Sequence, residues 1–292
     1  MLDSRAYCRG PTRGTAFFYI LGYRFMHPML NIAVRAARTA GNVIARAFED
    51  LDKVEAEQKG LNDFVTNVDR DAENAIIATI RKAYPDHTII SEECGTQTGA
   101  HDEFRWIIDP LDGTTNFMRG IPHFAVSIAL QINGKVEHGV IYDPLQNELF
   151  SASRGAGAQL DNRRLRIQPK RDLNGTLLAT GFPFKARQHT ETYFEIFNAL
   201  FADAADVRRA GSAALDLAYV AAGRLDGFWE IGLKPWDFAA GELLIREAGG
   251  LVSDFTGGHN HMTSGNIVAG GPKITANIVS KMRPLLSDAL KR

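Results

Sequence analysis

Trp106-Ile107-Ile108-Asp109-Pro110-Leu111-Asp112-Gly113-Thr114-Thr115-Asn116-Phe117 joins a strand-length apolar run to a pair of acids and a hydroxyl-rich turn. The run Phe104–Ile108 reads as a buried strand that stops abruptly at Asp109. Pro110 has no N–H to give to a ladder, so pairing is expected to end there. Asp112-Gly113 turns the chain, and Thr114-Thr115-Asn116 can open a helix or a helical turn. Such a path gathers two carboxylates and a backbone carbonyl around one point, with the N–H groups of Gly113 and Thr114 aimed the same way. The same residues would also make a solvated surface turn, since Asp-Pro and Asp-Gly are common turn dipeptides. Taken alone, the segment leaves both readings open.

Upstream, apolar residues at Leu30, Val34, Ala37, Val43, Ile44 and Phe48 recur at helical spacing and predict an amphipathic helix from Leu30 to Phe48. A turn and short strand are expected over Gly60 to Asn67, then a helix following Asp69 to about Tyr84, ended by Pro85. His87 to Ser91 reads as a strand. Downstream, Phe124–Ile132, Lys135–Tyr142, Leu149–Ser153 and Ala158–Leu160 are strand-like, separated by turn signals at Asn133-Gly134, Asp143-Pro144 and Asp161-Asn162. That is an antiparallel meander. After about residue 170 strands and helices alternate: strands at Leu177–Thr180, Asp206–Arg209 and Gly227–Ile231, helices at Thr190–Phe201, Ser212–Ala222 and Asp237–Ala248, and a final helix to Lys291. The pattern predicts an α+β half over residues 26–170, with an antiparallel sheet and most of the acidic positions, followed by an α/β half over 171–292 that supplies Asp237.

Composition narrows the function classes. Of 292 residues, 45% are hydrophobic and 23% charged, which supports a sizeable core. A net charge of −1 provides no global basic field for nucleic acid or anionic membranes. No stretch approaches the ~20 apolar residues needed to span a bilayer. The two cysteines, Cys8 and Cys94, form neither a disulfide framework nor a metal-ligand spacing, in keeping with a reducing cytoplasm. Residues 1–25 carry Arg5, Arg9 and Arg13 before the short apolar run Ala16–Leu21, as a signal peptide would. The run is interrupted by Gly22-Tyr23-Arg24 with no small-x-small site after it, so this stretch is read as an extension, non-native or disordered, rather than a targeting segment.

Asp69, Glu92, Asp109 with Asp112, and Asp237 all sit where strands or turns end, beside apolar runs rather than on solvated charged faces. Crowded carboxylates repel unless a cation occupies the site, and Mg²⁺ takes such hard oxygen ligands while keeping waters that a phosphate can replace. Two such ions can polarise a phosphoryl group and stabilise its leaving oxygen.

The string WIIDPLDGTTNF, with GLNDFVTNVD upstream, Ser91-Glu92-Glu93, and KPWDFAAGELLIREAGG downstream, resembles the inositol monophosphatase family, most closely its bacterial SuhB-type members. Four motifs in the same order cover the chain from Met26 to Arg292. The resemblance implies a layered αβαβα sandwich and hydrolysis of inositol 1-phosphate, or a similar small polyol phosphate, by in-line attack of a metal-activated water. It implies two or three Mg²⁺ ions. Glu92, Asp109 and the carbonyl of Leu111 match the ligands of the first ion; Asp109, Asp112 and Asp237 match those of the second; a third, weaker ion leans on Glu92. Asp69 and Thr114 resemble the pair that orients the water. Gly113 and Thr115 fall in the phosphate turn, Glu230 matches a residue that binds substrate hydroxyls, and Gly211, Ser212 and Ala213 line the same pocket. Lys59 resembles a basic residue near the metal-site loop. Lithium sensitivity and a homodimer are implied too. The stretch Thr180–Lys185 varies in the family, and its aromatic, basic character leaves the leaving group open. Related fructose 1,6-bisphosphatases and nucleotide 3′-phosphatases share the Asp-Pro-x-Asp-Gly-Thr logic, with Lys185 and Arg187 as candidates for a second phosphate. A further reading, of another class, is binding to transcription antitermination proteins.

Other residues have plainer readings. Adjacent strand residues point oppositely, so Glu93 is not expected to share Glu92's role. His259 and His261 lie in a glycine loop without a third ligand. Trp106 is expected in the core, Trp229 and Trp236 either in the core or on substrate, and Cys94 is expected to be inert. Arg208-Arg209 reads equally as a phosphate or partner contact and as a solvated pair.

Overall fold

The computed structural model describes residues 27–60 and 63–291. The extension read at 1–25, and Cys8 within it, lie outside the described residues. Helix α1 (Pro28–Phe48) starts with proline in its first turn, where the absent N–H has no helical partner to lose. A hairpin of β1 (Ala56–Gly60) and β2 (Asp63–Thr66) leads into α2 (Asn67–Ala83). This helix begins before Asp69, not after it. Thr66 Oγ1 accepts from the N–H of Val68 and Asp69, while Asp69 Oδ2 accepts from the Thr66 N–H at 2.8 Å, a reciprocal cap that satisfies the first turn.

Next come β3 (His87–Ser91), β4 (Gly95–Gln97), β5 (His101–Asp112), the short α3 (Thr114–Met118), β6 (Ala125–Ile132), β7 (Lys135–Asp143), β8 (Glu148–Ser153), β9 (Gly157–Leu160) and β10 (Arg163–Arg164). They form one eight-stranded sheet in the order β10-β9-β8-β7-β6-β5-β3-β4, antiparallel apart from the β3–β5 pair. The meander is as read from sequence. Strand β5, however, does not end at Pro110. Its pairing with β6 is regular from Phe104 to Asp109, slips, and resumes at Asp112 opposite Ala125. Pro110 occupies the irregularity, where a missing ladder donor is tolerated.

The remaining elements are β11 (Leu177–Thr180), α4 (Thr190–Phe201), β12 (Asp206–Arg208), α5 (Ala213–Ala221), β13 (Gly227–Glu230), α6 (Pro235–Glu247), β14 (Leu251–Ser253), α7 (His261–Ser264), β15 (Ile267–Gly270) and α8 (Pro272–Met282). The strands make a five-stranded sheet, β12-β11-β13-β15-β14, parallel through β12, β11 and β13 and antiparallel beyond. The last helix stops at Met282 rather than reaching Lys291. Pro284 has no N–H to continue the ladder, and a 3-10 turn follows over Arg283–Leu285.

Helices α1 and α2 cover one face of the large sheet with Ile44, Ile76 and Ile80 against Trp106, Phe117 and Ile128. Helices α5 and α6 fill the space between the sheets, where Leu215, Leu217, Phe238 and Leu243 share a cluster with Ile107, Ala125 and Phe150. Helices α4 and α8 cover the outer face of the small sheet. The result is a five-layer αβαβα sandwich. The middle layer is tight: a Cβ added at Gly139 of β7 would lie 3.0 Å from the Ala240 carbonyl of α6. Each fully buried Leu or Phe there contributes ~1.5–3 kcal/mol, which offsets the cost of holding acids at the layer's rim. Among the described residues no helix is long and apolar enough to cross a membrane.

Candidate active site

The ends of β5 and β13 and the starts of α5 and α6 surround a cavity of about 310 Å³. Glu92, Asp109, Leu111, Asp112, Gly113, Thr114, Thr115, Gly211, Ser212, Ala213, Glu230 and Asp237 all line it. Of the residues the sequence places in metal, water-orienting or substrate roles, Asp69 alone does not; the outlying candidates Lys59 and Arg187 are not among the lining residues either. Asp69 lies one step behind, 1% exposed, with its Oδ1 accepting from Thr114 Oγ1 at 2.9 Å.

The acids are held in different ways. Asp109, at 1% exposure, accepts from the Leu111 N–H at 3.0 Å across the Pro110 irregularity. Asp112 reaches the start of α5, where its Oδ2 accepts from Ser212 Oγ at 2.6 Å and from the Ala214 N–H at 2.7 Å. Asp237 sits in the first turn of α6 and accepts from the Lys234 N–H at 2.6 Å, a favourable place for an acid. Glu92 leaves the end of β3, its N–H bonded to the Ile108 carbonyl at 3.2 Å. Its nearest paired cation is Lys59 at 3.8 Å, and Lys59 is bonded more closely to Glu93. Glu93 stays off the cavity wall, as expected, although it lies in the turn after β3, where strand alternation does not apply.

Burial and mutual repulsion act together on this group. Desolvation pushes Asp109 well above the ordinary carboxylate range, with Glu92, Asp112 and Asp237 adding to the shift. Glu92 is raised by burial and then by Asp237, against the pull of Lys59. Burial likewise raises Asp112, opposed by its bonds to Ser212 and Ala214, and raises Asp237, with Asp112 adding. Of the described residues, six acids line the cavity against three cations, Lys185, Arg209 and Lys234, and four of those carboxylates with the Leu111 carbonyl are an all-oxygen donor set that fits a hard divalent cation. Among the described residues no three His, Cys, Asp or Glu side chains close into a ready-made cage. Mg²⁺ does not require one, since it keeps several waters and binds through one or two carboxylates plus substrate phosphate.

The turn after the acids leaves room for a ligand. Gly113 has φ +100°, and a Cβ there would lie 3.0 Å from the His123 carbonyl and 3.1 Å from Phe124 Cβ, so only glycine suits it. On the opposite wall, a Cβ at Gly181 would fall 2.0 Å from Glu230 Oε1. Glu230 therefore lies flat on the backbone of the variable Thr180–Lys185 stretch. Phe182 and Lys185 from that stretch line the cavity, whereas Arg187 does not.

Asp216 had no role in the sequence reading, and several residues left open there find their places. Asp216, an acid inside the apolar run Ala213–Ala221, lines the cavity at 2% exposure. Its signal was present, an acid among alanines and leucines, but helical periodicity does not tell a wall from a core. Arg208 and Arg209 part company: Arg208 pairs with Asp206, while Arg209 lines the cavity with its guanidinium 5.3 Å from the Phe182 ring centre. Trp106 and Trp229 are buried in the core and Trp236 lines the cavity. His261 is buried with Nε2 3.1 Å from Glu242, far from any metal-like grouping. Cys94 is exposed, and burial of its sulfur together with nearby Glu73 keeps its thiol above the usual range, which disfavours a thiolate.

Comparison with known proteins gives a consistent set of similarities. The description of the inositol monophosphatase family matches residues 26–286. A protein of Escherichia coli named Nus factor SuhB is 67% identical over 267 residues, covering 91% of this chain and 100% of that one. Among solved structures, the extragenic suppressor protein suhB of Bartonella henselae superposes with a TM-score of 0.86 at 43% identity, covering 88% of this chain and 99% of that one. The inositol monophosphatase of Anabaena gives a TM-score of 0.79 at 38% identity, with 88% and 95% covered.

Proposed function

The chain belongs to the inositol monophosphatase family, and from that membership we propose that it is a Mg²⁺-dependent phosphomonoesterase acting on inositol 1-phosphate or a similar small polyol phosphate. The observation that carries the reading is the meeting of Glu92 after β3, Asp109 and Asp112 at the end of β5, and Asp237 of α6 in one cavity beside the Gly113–Thr115 turn. Glu92, Asp109 and the Leu111 carbonyl would hold one ion; Asp109, Asp112 and Asp237 would hold a second, with Asp109 shared; Glu92 would contribute to a weaker third. Bound Mg²⁺ supplies positive charge against the phosphoryl and leaving oxygens and acidifies the attacking water.

The chain's own groups do the rest. Thr114 Oγ1 has one proton and two acceptors in reach, Asp69 Oδ1 at 2.9 Å and the Leu111 carbonyl at 3.1 Å. Donation to the charged acceptor is favoured. The threonine lone pairs are then left to accept from a water and fix its direction. Asp69 is kept in place by Thr66 on its other oxygen. The Gly113–Thr115 turn cradles phosphate, while Glu230 with Gly211, Ser212 and Ala213 holds the alcohol. Family membership supports direct attack by water without a phosphoenzyme.

A substrate panel scored for Mg²⁺-dependent phosphate release tests this. Inositol 1-phosphate or another polyol monophosphate is expected to lead, with inhibition by millimolar Li⁺ at fixed Mg²⁺. Preference for fructose 1,6-bisphosphate or a nucleotide 3′-phosphate would replace the reading. Lys185, the candidate read from sequence for a second phosphate, lines the cavity, as do Arg209 and Lys234.

The identity with a relative named Nus factor SuhB supports a second role, binding to transcription antitermination proteins. An Asp112→Asn protein used as bait should still retain those partners; loss of binding with the metal-site change would tie the two roles together. A cytoplasmic homodimer is the accompanying expectation, checked by sedimentation velocity.

A further inference from the structure

Asp216 is the acid in the cavity wall that this scheme does not use. It is 2% exposed, lines the cavity, and has no hydrogen bond from any described side chain or backbone group. Placed four residues after Ser212 at the start of α5, it sits one helical turn along the same face as the hydroxyl that holds Asp112. Glu230 is in the same condition: 9% exposed, on the wall, pressed against Gly181, with no hydrogen bond to its carboxyl from any described group. Asp216 is the largest charge effect on Glu230. Burial drives both well above the ordinary carboxylate range, with Arg209 only partly countering. Buried polar groups ordinarily have partners inside the protein, and a pair without them leaves its hydrogen-bonding capacity to a ligand.

We propose that Asp216 is a specificity-determining residue that, together with Glu230, forms a two-carboxyl wall reading adjacent hydroxyls of the substrate's alcohol moiety. The inference rests on the reading of this cavity as a polyol-phosphate site and goes beyond the single hydroxyl-binding acid, Glu230, recognised from sequence. Two carboxyl groups offer four oxygens, which an alcohol with one hydroxyl cannot occupy and a polyol can. A site built to hydrogen-bond a hydroxyl rejects the analogue lacking it, because the buried group is then left unpaired.

The test compares kcat and KM for inositol 1-phosphate and for 4-nitrophenyl phosphate, whose leaving group has no hydroxyls to read, in the Mg²⁺-loaded enzyme. Asp216→Leu keeps the size and removes both oxygens; Asp216→Asn keeps the hydrogen bonding. The ratio of kcat/KM for the inositol ester over the nitrophenyl ester should fall about tenfold or more in Asp216→Leu, mainly through KM, and recover largely in Asp216→Asn. Calorimetric titration with free myo-inositol should show the same loss and recovery. An unchanged ratio overturns the proposal. So does an equal loss on both esters, which would make Asp216 a support for Asp112 rather than a reader of substrate. If Asp216→Leu does not fold, deoxy-inositol phosphates offered to the parent enzyme decide: equal use of all of them overturns the proposal. A parent enzyme that cleaves 4-nitrophenyl phosphate but no polyol phosphate fails the functional reading itself, a result distinct from any of these.

Discussion

Asp254 and Asp216 are both buried acids, and the chain treats them in opposite ways. Asp254 follows β14 and is 8% exposed. Its Oδ1 accepts from the Thr256 N–H at 2.8 Å, the Thr256 hydroxyl at 2.7 Å and the Gly258 N–H at 2.8 Å, and its Oδ2 accepts from the Asn260 N–H at 3.0 Å. Burial would raise this carboxyl, but those donors outweigh it and hold it below the ordinary range. Asp216 has burial without donors, and Asp112 nearby adds repulsion. An acid whose partners lie inside the chain is part of the loop's architecture. One whose partners are missing points to something that arrives from solution. The carboxylates facing the Gly113 turn are intermediate: Asp109 and Asp237 are each anchored on one oxygen by the local chain and Asp112 by the start of α5, while acids still outnumber cations around them.

The largest expected effect tests the intermediate group. Asp109→Asn or Asp237→Asn should lower turnover by on the order of a hundredfold or more at saturating Mg²⁺, because each removes charge from the proposed cation site. Near-normal turnover would exclude that residue from it. On the architectural side, Asp254→Ala should cost about 2–4 kcal/mol in denaturant unfolding, since it strands several donors at once. Its kcat and KM, measured well below the melting transition, should match the parent; a selective loss of kcat would blur the distinction drawn here.

A smaller effect sharpens the contrast through its sign. The Asp216 carboxyl is raised in the folded state, so folding becomes less favourable as pH rises through and above the ordinary unfolded value near 4. Asp216→Asn should therefore melt higher than the parent at pH 8, on the order of a few degrees, and the gap should close toward pH 4. A gap independent of pH would show that the substitution acts through packing. Asp254 should show the mirror image as the smallest effect. Its depressed carboxyl stabilises the fold above the unfolded value and loses that contribution as pH falls through the folded one. The parent's advantage over Asp254→Asn should then shrink below about pH 4, and scanning calorimetry across that range would show it.

Much of this was legible in the sequence. Strand alternation with Asn133-Gly134 and Asp161-Asn162 at the turns specified the meander, and the structure puts all four of those residues at positive φ, as tight hairpins need. The Trp106–Phe117 string announced an acidic turn after a buried strand. The bounds of β5 were misread because Pro110 forbids a ladder bond only where the ladder would need one, and an irregularity removes that need. Strands β14 and β15, three and four residues long, are too short for a period to emerge from their neighbours.

The sequence alone determined the family and the residue types on offer: the acids of the opening segment, their glycine and their threonines. Only the tertiary structure decided which acids face one another. Asp112 meets Ser212 across a hundred residues of chain, Asp69 stands behind Thr114 rather than in the cavity, and Asp216 and Glu230 share a wall although they lie on a helix and a strand. The physical reason is that a carboxyl's behaviour depends on how many donors and charges surround it after burial, and that count belongs to the packed layers rather than to any one element.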